Sequence, residues 1–188
     1  MSEKLYLSAE GLLEDSFELA TRVVESGFRP TFMVAIWRGG VPIGVAVQEL
    51  LAYAGIDCDH IAIRTASYRG IGERSSTVQV FGLNYLIKKL CDDDRLLIVD
   101  DVFDTGHTIE AVVRHLEDKA RKNTPHDIRV AVPYYKPTKN ETDRVPEYFL
   151  HETDRWIKFP HSVEELEADE IAERMPALHE ILSGAREA

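Results

Sequence analysis

Residues 96–108 read LLIVDDVFDTGHT, and this stretch places Asp100, Asp101 and Asp104 directly after a run of aliphatic side chains. A short, uninterrupted apolar run is typical of a strand that is buried on both faces of a parallel sheet. Carboxylates at such close spacing repel each other, and burying them costs free energy unless a partner compensates. The stretch therefore predicts a buried strand whose carboxyl end faces a cation, a polyhydroxyl ligand or both.

Strand and helix signals alternate along the rest of the chain. The predicted strands are 31–37, 60–68, 78–83, 95–100 and 128–135, and the predicted helices are a segment after Ser8, 41–55, 84–90, 107–122 and a C-terminal stretch from about residue 162. The last of these reads as one helix or as two pieces broken near Pro176. The alternation predicts an α/β fold with a twisted, mainly parallel sheet flanked by helices. In such sheets, ligands bind beyond the carboxyl ends of the strands.

Length, charge and cysteine content narrow the class of protein. The 188 residues suit a single domain, and a formal net charge of -11 argues against nucleic-acid binding. The sequence contains no apolar run of about 18 residues, so we expect no membrane span. The N-terminus lacks the pattern of a secretory signal, and Cys58 and Cys91 match no metal or redox spacing. We therefore expect a cytoplasmic protein with reduced thiols.

Residues 104–108, DTGHT, have the composition of a phosphate-binding turn between a strand and a helix. The glycine permits close backbone approach, the threonines supply hydroxyls, and the first N–H groups of the helix carry the positive end of its dipole. The histidine could donate to phosphate or contribute only its backbone. Asp100 and Asp101 can accept hydrogen bonds from sugar hydroxyls or approach a hydrated Mg²⁺. Together these groups suit a ribose 5-phosphate that carries an anionic group at C1.

The segment VDDVFDTGHT, residues 99–108, resembles the signature of type I phosphoribosyltransferases for phosphoribosyl pyrophosphate (PRPP). The resemblance implies one domain, with a core of about 28–135, a hood of about 136–165 that includes N-terminal residues, and a C-terminal helix of about 162–183. It implies Mg²⁺ as the cofactor, with Asp100 and Asp101 holding the ribose and the metal. The implied ligands of the 5′-phosphate are Asp104, Thr105, Gly106, His107 and Thr108.

Two further loops are similar to those of the same family. In WRGG, residues 37–40, a basic residue precedes two glycines, as in the family's pyrophosphate loop, so Arg38 and Gly39 are the implied pyrophosphate ligands. Ser67 and Tyr68 precede a polar, glycine-containing segment at 69–77 and are similar to the start of the family's flexible lid.

The base-binding end is similar to the branch that acts on hypoxanthine, guanine and xanthine. Lys136 matches the lysine that binds the purine 6-oxygen, Trp156 the residue that stacks on the base, and Ile157 the residue whose backbone contacts its far edge. His161 stands where xanthine-type relatives often have tryptophan, which leaves the base preference open. Glu164 and Glu165 are candidates for a second metal ligand.

The resemblance implies transfer of a phosphoribosyl group from PRPP to N9 of a 6-oxopurine in purine salvage, by a homodimer or homotetramer. Asp104 would handle a proton near N7 of the base. Two alternatives stay open: a non-catalytic regulator that senses PRPP or a nucleotide, and a transferase for another acceptor base, such as a pyrimidine. The acidic chain shows no basic nucleic-acid face, which weakens the first alternative. Lys136 and Trp156 weaken the second.

Overall fold

The computed structural model describes residues 4–69, 76–164 and 166–186. In chain order the elements are β1 (Lys4–Tyr6), α1 (Ala9–Glu25), β2 (Phe32–Trp37), α2 (Gly40–Tyr53), β3 (Asp59–Arg69), β4 (Ser76–Phe81), α3 (Asn84–Ile87), β5 (Arg95–Val99), β6 (Val102–Phe103), α4 (His107–Ala120), a 3-10 turn (Arg121–Asn123), β7 (Asp127–Tyr135), β8 (Tyr148–Glu152), β9 (Trp156–Lys158), α5 (Ala168–Arg174) and α6 (Pro176–Arg186). No helix in these described ranges is both long and apolar enough to cross a membrane.

Among the described residues, seven strands form the main sheet, in the order β4-β3-β2-β5-β7-β6, with β8 also pairing with β7. The pairs formed by β2, β3, β5, β6, β7 and β8 are parallel, and β4 runs antiparallel to β3. A second sheet pairs β1 with β9 in parallel, with Lys4 opposite Trp156. Because β1 is N-terminal and β9 lies late in the chain, this small sheet joins the two segments from which the hood was predicted to form. The predicted α/β fold class is confirmed.

The central strand β5 is buried on both faces, as its aliphatic sequence predicts. Leu97 and Val99 contact one core cluster, together with residues of α1 and α2. Leu96 and Ile98 contact a second cluster, together with residues of α3 and α4. Successive side chains of a strand point to opposite faces, so the two clusters lie on opposite sides of the sheet. At its carboxyl end the strand leaves the core where the aspartates begin.

Helix α1 begins where its sequence signal places it. The Ser8 side chain accepts a hydrogen bond from the Gly11 N–H at 3.0 Å, which satisfies one of the free donors of the first turn. Gly27, just beyond the C-terminal end, has φ 80°, a left-handed conformation that glycine adopts without a steric cost.

The prediction for the C-terminal helix is wrong about its first residue, near 162, and correct about the break near Pro176. Residues 162–164 and 166–167 are not helical, and α5 begins at Ala168, after a capping box formed by Glu167 and Glu170. Helix α6 begins at Pro176, and Met175 before it has φ −137°, outside the helical region. Proline disfavours a helical conformation in the residue before it, so two helices form instead of one.

The predicted lid lies mainly outside the described residues. The backbone of Ser67 and Tyr68 belongs to β3 and pairs with Val78 and Thr77 of β4. Residues 70–75, which carry most of the predicted loop, are outside the description. The assignment of a lid therefore stays a prediction.

Helix α2 packs so closely on β2 that Gly44 is required at the contact. A Cβ on Gly44 would lie 2.6 Å from the Ala35 Cβ. Replacing a helical glycine with alanine usually stabilises by roughly 0.8–1.0 kcal/mol. Here we expect Gly44→Ala to destabilise the protein by about 1–3 kcal/mol, the usual cost of overpacking. Urea denaturation measures this change.

The paired variant Gly44→Ala/Ala35→Gly is the control, because it removes the methyl group that causes the clash. We expect it to recover part of the lost stability in a double-mutant cycle. A Gly44→Ala protein as stable as the unmodified chain would show that α2 can move away from β2 at little cost.

Candidate active site

Most of the predicted site residues lie beyond the carboxyl ends of three neighbouring strands, β2, β5 and β7, whereas Trp156 and Ile157 lie on β9. The WRGG loop follows β2 and lies against the end of β5. A Cβ on Gly39 would overlap the Asp101 carboxylate, and a Cβ on Gly40 would lie 2.6 Å from the Val99 carbonyl oxygen. Both positions therefore need glycine for steric reasons. This close approach puts the candidate pyrophosphate loop directly on the aspartate pair.

Asp100 and Asp101 form a desolvated carboxylate pair. The Asp101 N–H donates to Asp100 Oδ1 at 3.0 Å. Burial, and then the charge of Asp101, raise the pKa of Asp100 well above its usual range. Burial raises the pKa of Asp101 to about 6, although neighbouring N–H groups and the Lys136 charge oppose the shift. The cost of desolvating the two carboxyl groups is therefore only partly compensated.

No ion pair within the described ranges includes either of these aspartates. The same part of the chain contains no group of three or more histidine, cysteine, aspartate or glutamate residues that could hold a metal alone. Mg²⁺ is usually bound by one or two carboxylates together with substrate phosphates and water. Two adjacent carboxylates fit that pattern, so Asp100 and Asp101 could hold Mg²⁺ together with a phosphorylated ligand.

The DTGHT turn leads into α4 and is supported from behind by residues 140–142. Gly106 is the N-cap of α4 with φ 82°, and a Cβ there would overlap the Thr142 hydroxyl oxygen. The Glu141 N–H donates to the Thr105 carbonyl oxygen at 3.0 Å, which fixes the turn against this segment. The first N–H groups of a 14-residue helix then face the loop with the positive end of the helix dipole.

The His107 imidazole contacts two carboxylates. Its Nε2 lies 2.7 Å from Glu141 Oε2, and its Nδ1 lies 3.9 Å from Glu110 Oε2. A ring between two anionic groups is poorly placed to receive a phosphate. The arrangement favours the interpretation in which His107 contributes its backbone N–H.

Lys136, Asp104 and Trp156 lie together, although they are far apart in the sequence. Lys136 Nζ donates to Asp104 Oδ2 at 3.0 Å and lies 5.5 Å from the centroid of the Trp156 ring. The Lys136 side chain is only 6% exposed, and its N–H donates to the Phe103 carbonyl oxygen at 2.9 Å. The Trp156 ring is 47% exposed and so offers a face to a ligand. Ile157 beside it is buried and pairs with Leu5 of the hood.

Lys158 is a residue at this site that the sequence reasoning missed. Its side chain is buried, and its Nζ lies 5.8 Å from the Trp156 ring centroid. The available signal was the two-residue period of a strand, which places Lys158 on the same face of β9 as Trp156.

Arg38 connects the WRGG loop to the hood. Its Nη2 lies 2.9 Å from Glu164 Oε2, and both side chains are about 70% exposed (69% and 72%). Glu164 therefore contacts the candidate pyrophosphate loop, and its proposed role as a second metal ligand has no support from this contact. Glu165 lies outside the described residues. An exposed ion pair is worth little, so Arg38 can leave Glu164 at a small cost.

His161 packs beside this loop. Its ring stacks on Phe159 with a centroid distance of 5.4 Å. Burial, and then the positive charge of Arg38, lower the pKa of His161, so its ring is neutral at neutral pH. The position where relatives often have tryptophan therefore still holds a flat, uncharged ring.

The fold and the site define an α/β protein that has a candidate phosphate turn and a carboxylate pair at the carboxyl ends of the strands of a mainly parallel sheet. The family model described as "Phosphoribosyl transferase domain" matches residues 4–168. The chain therefore belongs to the phosphoribosyltransferase family.

Individual relatives agree with this assignment. The chain is 38% identical over 88 residues to a hypoxanthine/guanine phosphoribosyltransferase of Methanocella arvoryzae. That alignment covers 45% of this chain and 43% of the relative, so the match spans less than half the length of the curated protein. A purine phosphoribosyltransferase structure from Pyrococcus horikoshii superposes with a TM-score of 0.64 and 27% identity, covering 87% of this chain and 99% of that one.

A hypothetical protein from Neisseria gonorrhoeae, whose structure has bound ppGpp, superposes with a TM-score of 0.67. It is 24% identical, and the match covers 94% of this chain and 98% of that one. At this identity the similarity shows the shared fold alone.

The carboxylate pair makes a prediction about stability and pH. A folded-state pKa of about 6 for Asp101, above its ordinary value of 3.8, means that ionisation opposes folding as the pH rises from about 4 to 6. This cost is absent below the ordinary pKa and complete above the raised one. In EDTA and without PRPP, we therefore expect Asp101→Asn to raise the melting temperature at pH 8 and to have a much smaller effect near pH 4.

Asp143→Asn is the matched control, because Asp143 is exposed. Thermal melts of both variants between pH 4 and pH 8 measure the effect. A lower melting temperature for Asp101→Asn at pH 8 would mean that its carboxylate stabilises the fold, contrary to the desolvation argument.

Proposed function

We propose that this protein transfers the 5-phosphoribosyl group of PRPP to N9 of a 6-oxopurine and releases pyrophosphate. The observation that carries the proposal is the contact of Lys136 with Asp104 beside the exposed Trp156 ring. It brings together a cation that only donates, a carboxylate that can handle a proton and a flat surface for stacking. Membership of the phosphoribosyltransferase family supports the reaction class. The printed names of the relatives from Methanocella arvoryzae and Pyrococcus horikoshii support purine bases as acceptors.

In this proposal, different loops would bind different parts of PRPP. The N–H groups and hydroxyls of residues 104–108 would hold the 5′-phosphate at the start of α4. Asp100 and Asp101 would hold the ribose hydroxyls and Mg²⁺, and the backbone at Gly39 would face the pyrophosphate. When bound, Mg²⁺ would neutralise charge on the pyrophosphate leaving group. Because Gly39 lies against Asp101, the leaving group and the ribose would be held by directly contacting loops.

The chemical step needs positioned charge and one proton acceptor. Departure of pyrophosphate leaves a cation-like ribose, which nearby carboxylates stabilise electrostatically. Asp104 would accept the proton that the purine loses, at a position near N7. The Lys136 ammonium has three N–H donors, so it can keep its contact with Asp104 and also donate to the purine 6-oxygen. One lysine would thereby hold both the base and the proton acceptor in place.

The direct test is pyrophosphate release from PRPP and Mg²⁺ with hypoxanthine, guanine, xanthine, adenine or uracil supplied separately. We expect release with one or more 6-oxopurines and little with adenine or uracil. A protein that binds PRPP but releases no pyrophosphate with any base would be a PRPP- or nucleotide-sensing regulator. Preferential release with uracil would point to a pyrimidine acceptor.

Asp104 is the group on which turnover should depend most. We expect Asp104→Asn to bind PRPP with little change and to lose about 10²–10⁴-fold in kcat, the usual contribution of a positioned general base. Steady-state kinetics together with a PRPP titration separate the two effects. Turnover close to that of the unmodified enzyme would show that Asp104 only supports the phosphate turn.

Lys136 and Trp156 should affect base use in different ways. A 6-oxopurine presents an acceptor oxygen at C6 and adenine presents a donor amino group, so a lysine distinguishes them. We expect Lys136→Met to reduce kcat/KM for 6-oxopurines by about tenfold or more and to narrow their lead over adenine. Trp156→Ala should weaken all purines to a similar extent, because stacking is tolerant of base identity.

Lys139→Met is the matched control, since Lys139 is exposed and lies three residues further along the same loop. The kcat/KM values of hypoxanthine, guanine, xanthine and adenine in the three variants test whether Lys136 determines the base preference and Trp156 the general affinity for purines. An unchanged ratio of hypoxanthine to adenine in Lys136→Met would remove Lys136 as the specificity residue.

A further inference from the structure

A cluster of positively charged side chains lies at the opposite end of the strands from the candidate active site. A surface cavity of about 460 Å³ is lined by Ser26, Gly27, Phe28, Arg29, Arg95 and Arg129. Arg29 precedes β2, Arg95 is the first residue of β5, and Arg129 lies near the start of β7. The cavity is therefore at the amino ends of the same three strands whose carboxyl ends carry the candidate site.

The lining contains three arginines and no acidic residue, in a chain of net charge -11. The positive charge of one of these arginines, Arg129, is largely compensated by an ion pair. Arg129 donates to both carboxylate oxygens of Asp127, at 2.9 and 3.2 Å, and to the Tyr148 hydroxyl at 2.8 Å. Arg129 also lies over the Phe28 ring, 4.3 Å from its centroid. Its position is thus fixed by contacts on several sides.

Arg29 and Arg95 have only main-chain acceptors in the described part of the chain. Arg29 Nη1 donates to the Val24 and Phe28 carbonyl oxygens at 3.0 and 3.1 Å, and Arg95 Nε donates to the Arg29 carbonyl oxygen. Neither side chain joins an ion pair there. A guanidinium has five N–H donors, so most donors of these two residues have no acceptor within the described ranges.

Asp94, which is next to Arg95 in the sequence, forms no ion pair with the cavity arginines in the described part of the chain. Asp94 Oδ1 accepts from the Thr31 hydroxyl at 2.8 Å, and its Oδ2 accepts from the Cys91 N–H at 2.7 Å. Both carboxylate oxygens of Asp94 therefore already accept a hydrogen bond from a residue that does not line the cavity.

We propose that this cavity binds the phosphate group of a small anion. Arginine presents parallel N–H donors that match phosphate oxygens, and the backbone contacts of Arg29 and Arg95 hold both guanidiniums in place. Phe28 is only 3% exposed and lies under Arg129, so the cavity offers no free aromatic face to a nucleobase. The recognised group is thus the phosphate itself. This site is separate from the proposed active site and does not depend on its function.

The experiment is a ¹H–¹⁵N NMR titration with inorganic phosphate, compared with KCl of equal ionic strength. The amide of Gly27 reports on the cavity, and the amide of Gly106 reports on the candidate active site. We expect a saturable shift at Gly27 with phosphate and not with KCl. Adenosine 5′-monophosphate is the second probe: affinity similar to phosphate indicates recognition of the phosphate alone, and tighter binding indicates a nucleotide as the source of that group.

Arg29→Gln and Arg95→Gln should each weaken the phosphate response at Gly27 by about tenfold, the loss expected for one charge-assisted hydrogen bond. Arg114→Gln is the control, because Arg114 is 70% exposed and pairs with Glu110 on α4. The response at Gly106 should be unchanged in all three variants.

A matched pair at Gly27 tests the site without removing an arginine. Space around Gly27 is open, and its φ of 80° is a conformation that asparagine and aspartate tolerate better than other residues. The amide of Phe28 reports on the cavity in these variants. Gly27→Asp should abolish phosphate binding by placing a carboxylate among the guanidiniums, and the isosteric Gly27→Asn should retain it. A cavity response that follows ionic strength alone, or that persists in Arg29→Gln, Arg95→Gln and Gly27→Asp, would overturn the proposal.

Discussion

Two carboxylates held side by side at the end of a fully buried strand are the constraint on which the rest of the site depends. The aliphatic residues of β5 fix the strand in the core, so Asp100 and Asp101 are held half-buried directly after its end. Their raised pKa values express the cost of this position. A fold does not need such a charge pair for its own stability, and a cationic or hydroxyl-bearing ligand would remove the cost.

The neighbouring loops are shaped around that pair. Gly39 and Gly40 have no side chain because the aspartates and the β5 backbone occupy the space where a Cβ would lie. The Lys136 N–H donates to the Phe103 carbonyl oxygen, and its Nζ contacts Asp104 beside the Trp156 ring. The positive charge of Lys136 opposes the rise in the pKa of Asp101. The hood sheet supplies Trp156 because β9 pairs with the N-terminal strand β1. The candidate pyrophosphate loop and the candidate base site therefore both lie close to the end of β5.

Local signals in the sequence were sufficient to predict the elements that depend on neighbouring residues alone. Aliphatic runs located the central strands, and Ser8 located the start of α1. The start of the C-terminal helix was misplaced because acidic residues after Ser162 are compatible with a helix, whereas turn hydrogen bonds from Ser162 to Phe159 and from Leu166 to Val163 form instead. Strand β6 has two residues and exists through its pairing with Tyr134 and Tyr135, which no local pattern shows. The Lys136–Asp104 contact and the arginine cavity join residues from separate strands, so they depend on sheet order and register.

The most direct test of this account is the Mg²⁺ dependence of PRPP binding, measured by titration calorimetry at pH 8. If the desolvated pair is neutralised by a metal and ribose hydroxyls, the unmodified protein will bind PRPP substantially more tightly with Mg²⁺ than with EDTA. The Asp100→Asn/Asp101→Asn variant will then lose most of that difference while keeping its fold. Equal PRPP affinity with and without Mg²⁺ in the unmodified protein, or an undiminished Mg²⁺ effect in the variant, would contradict the account.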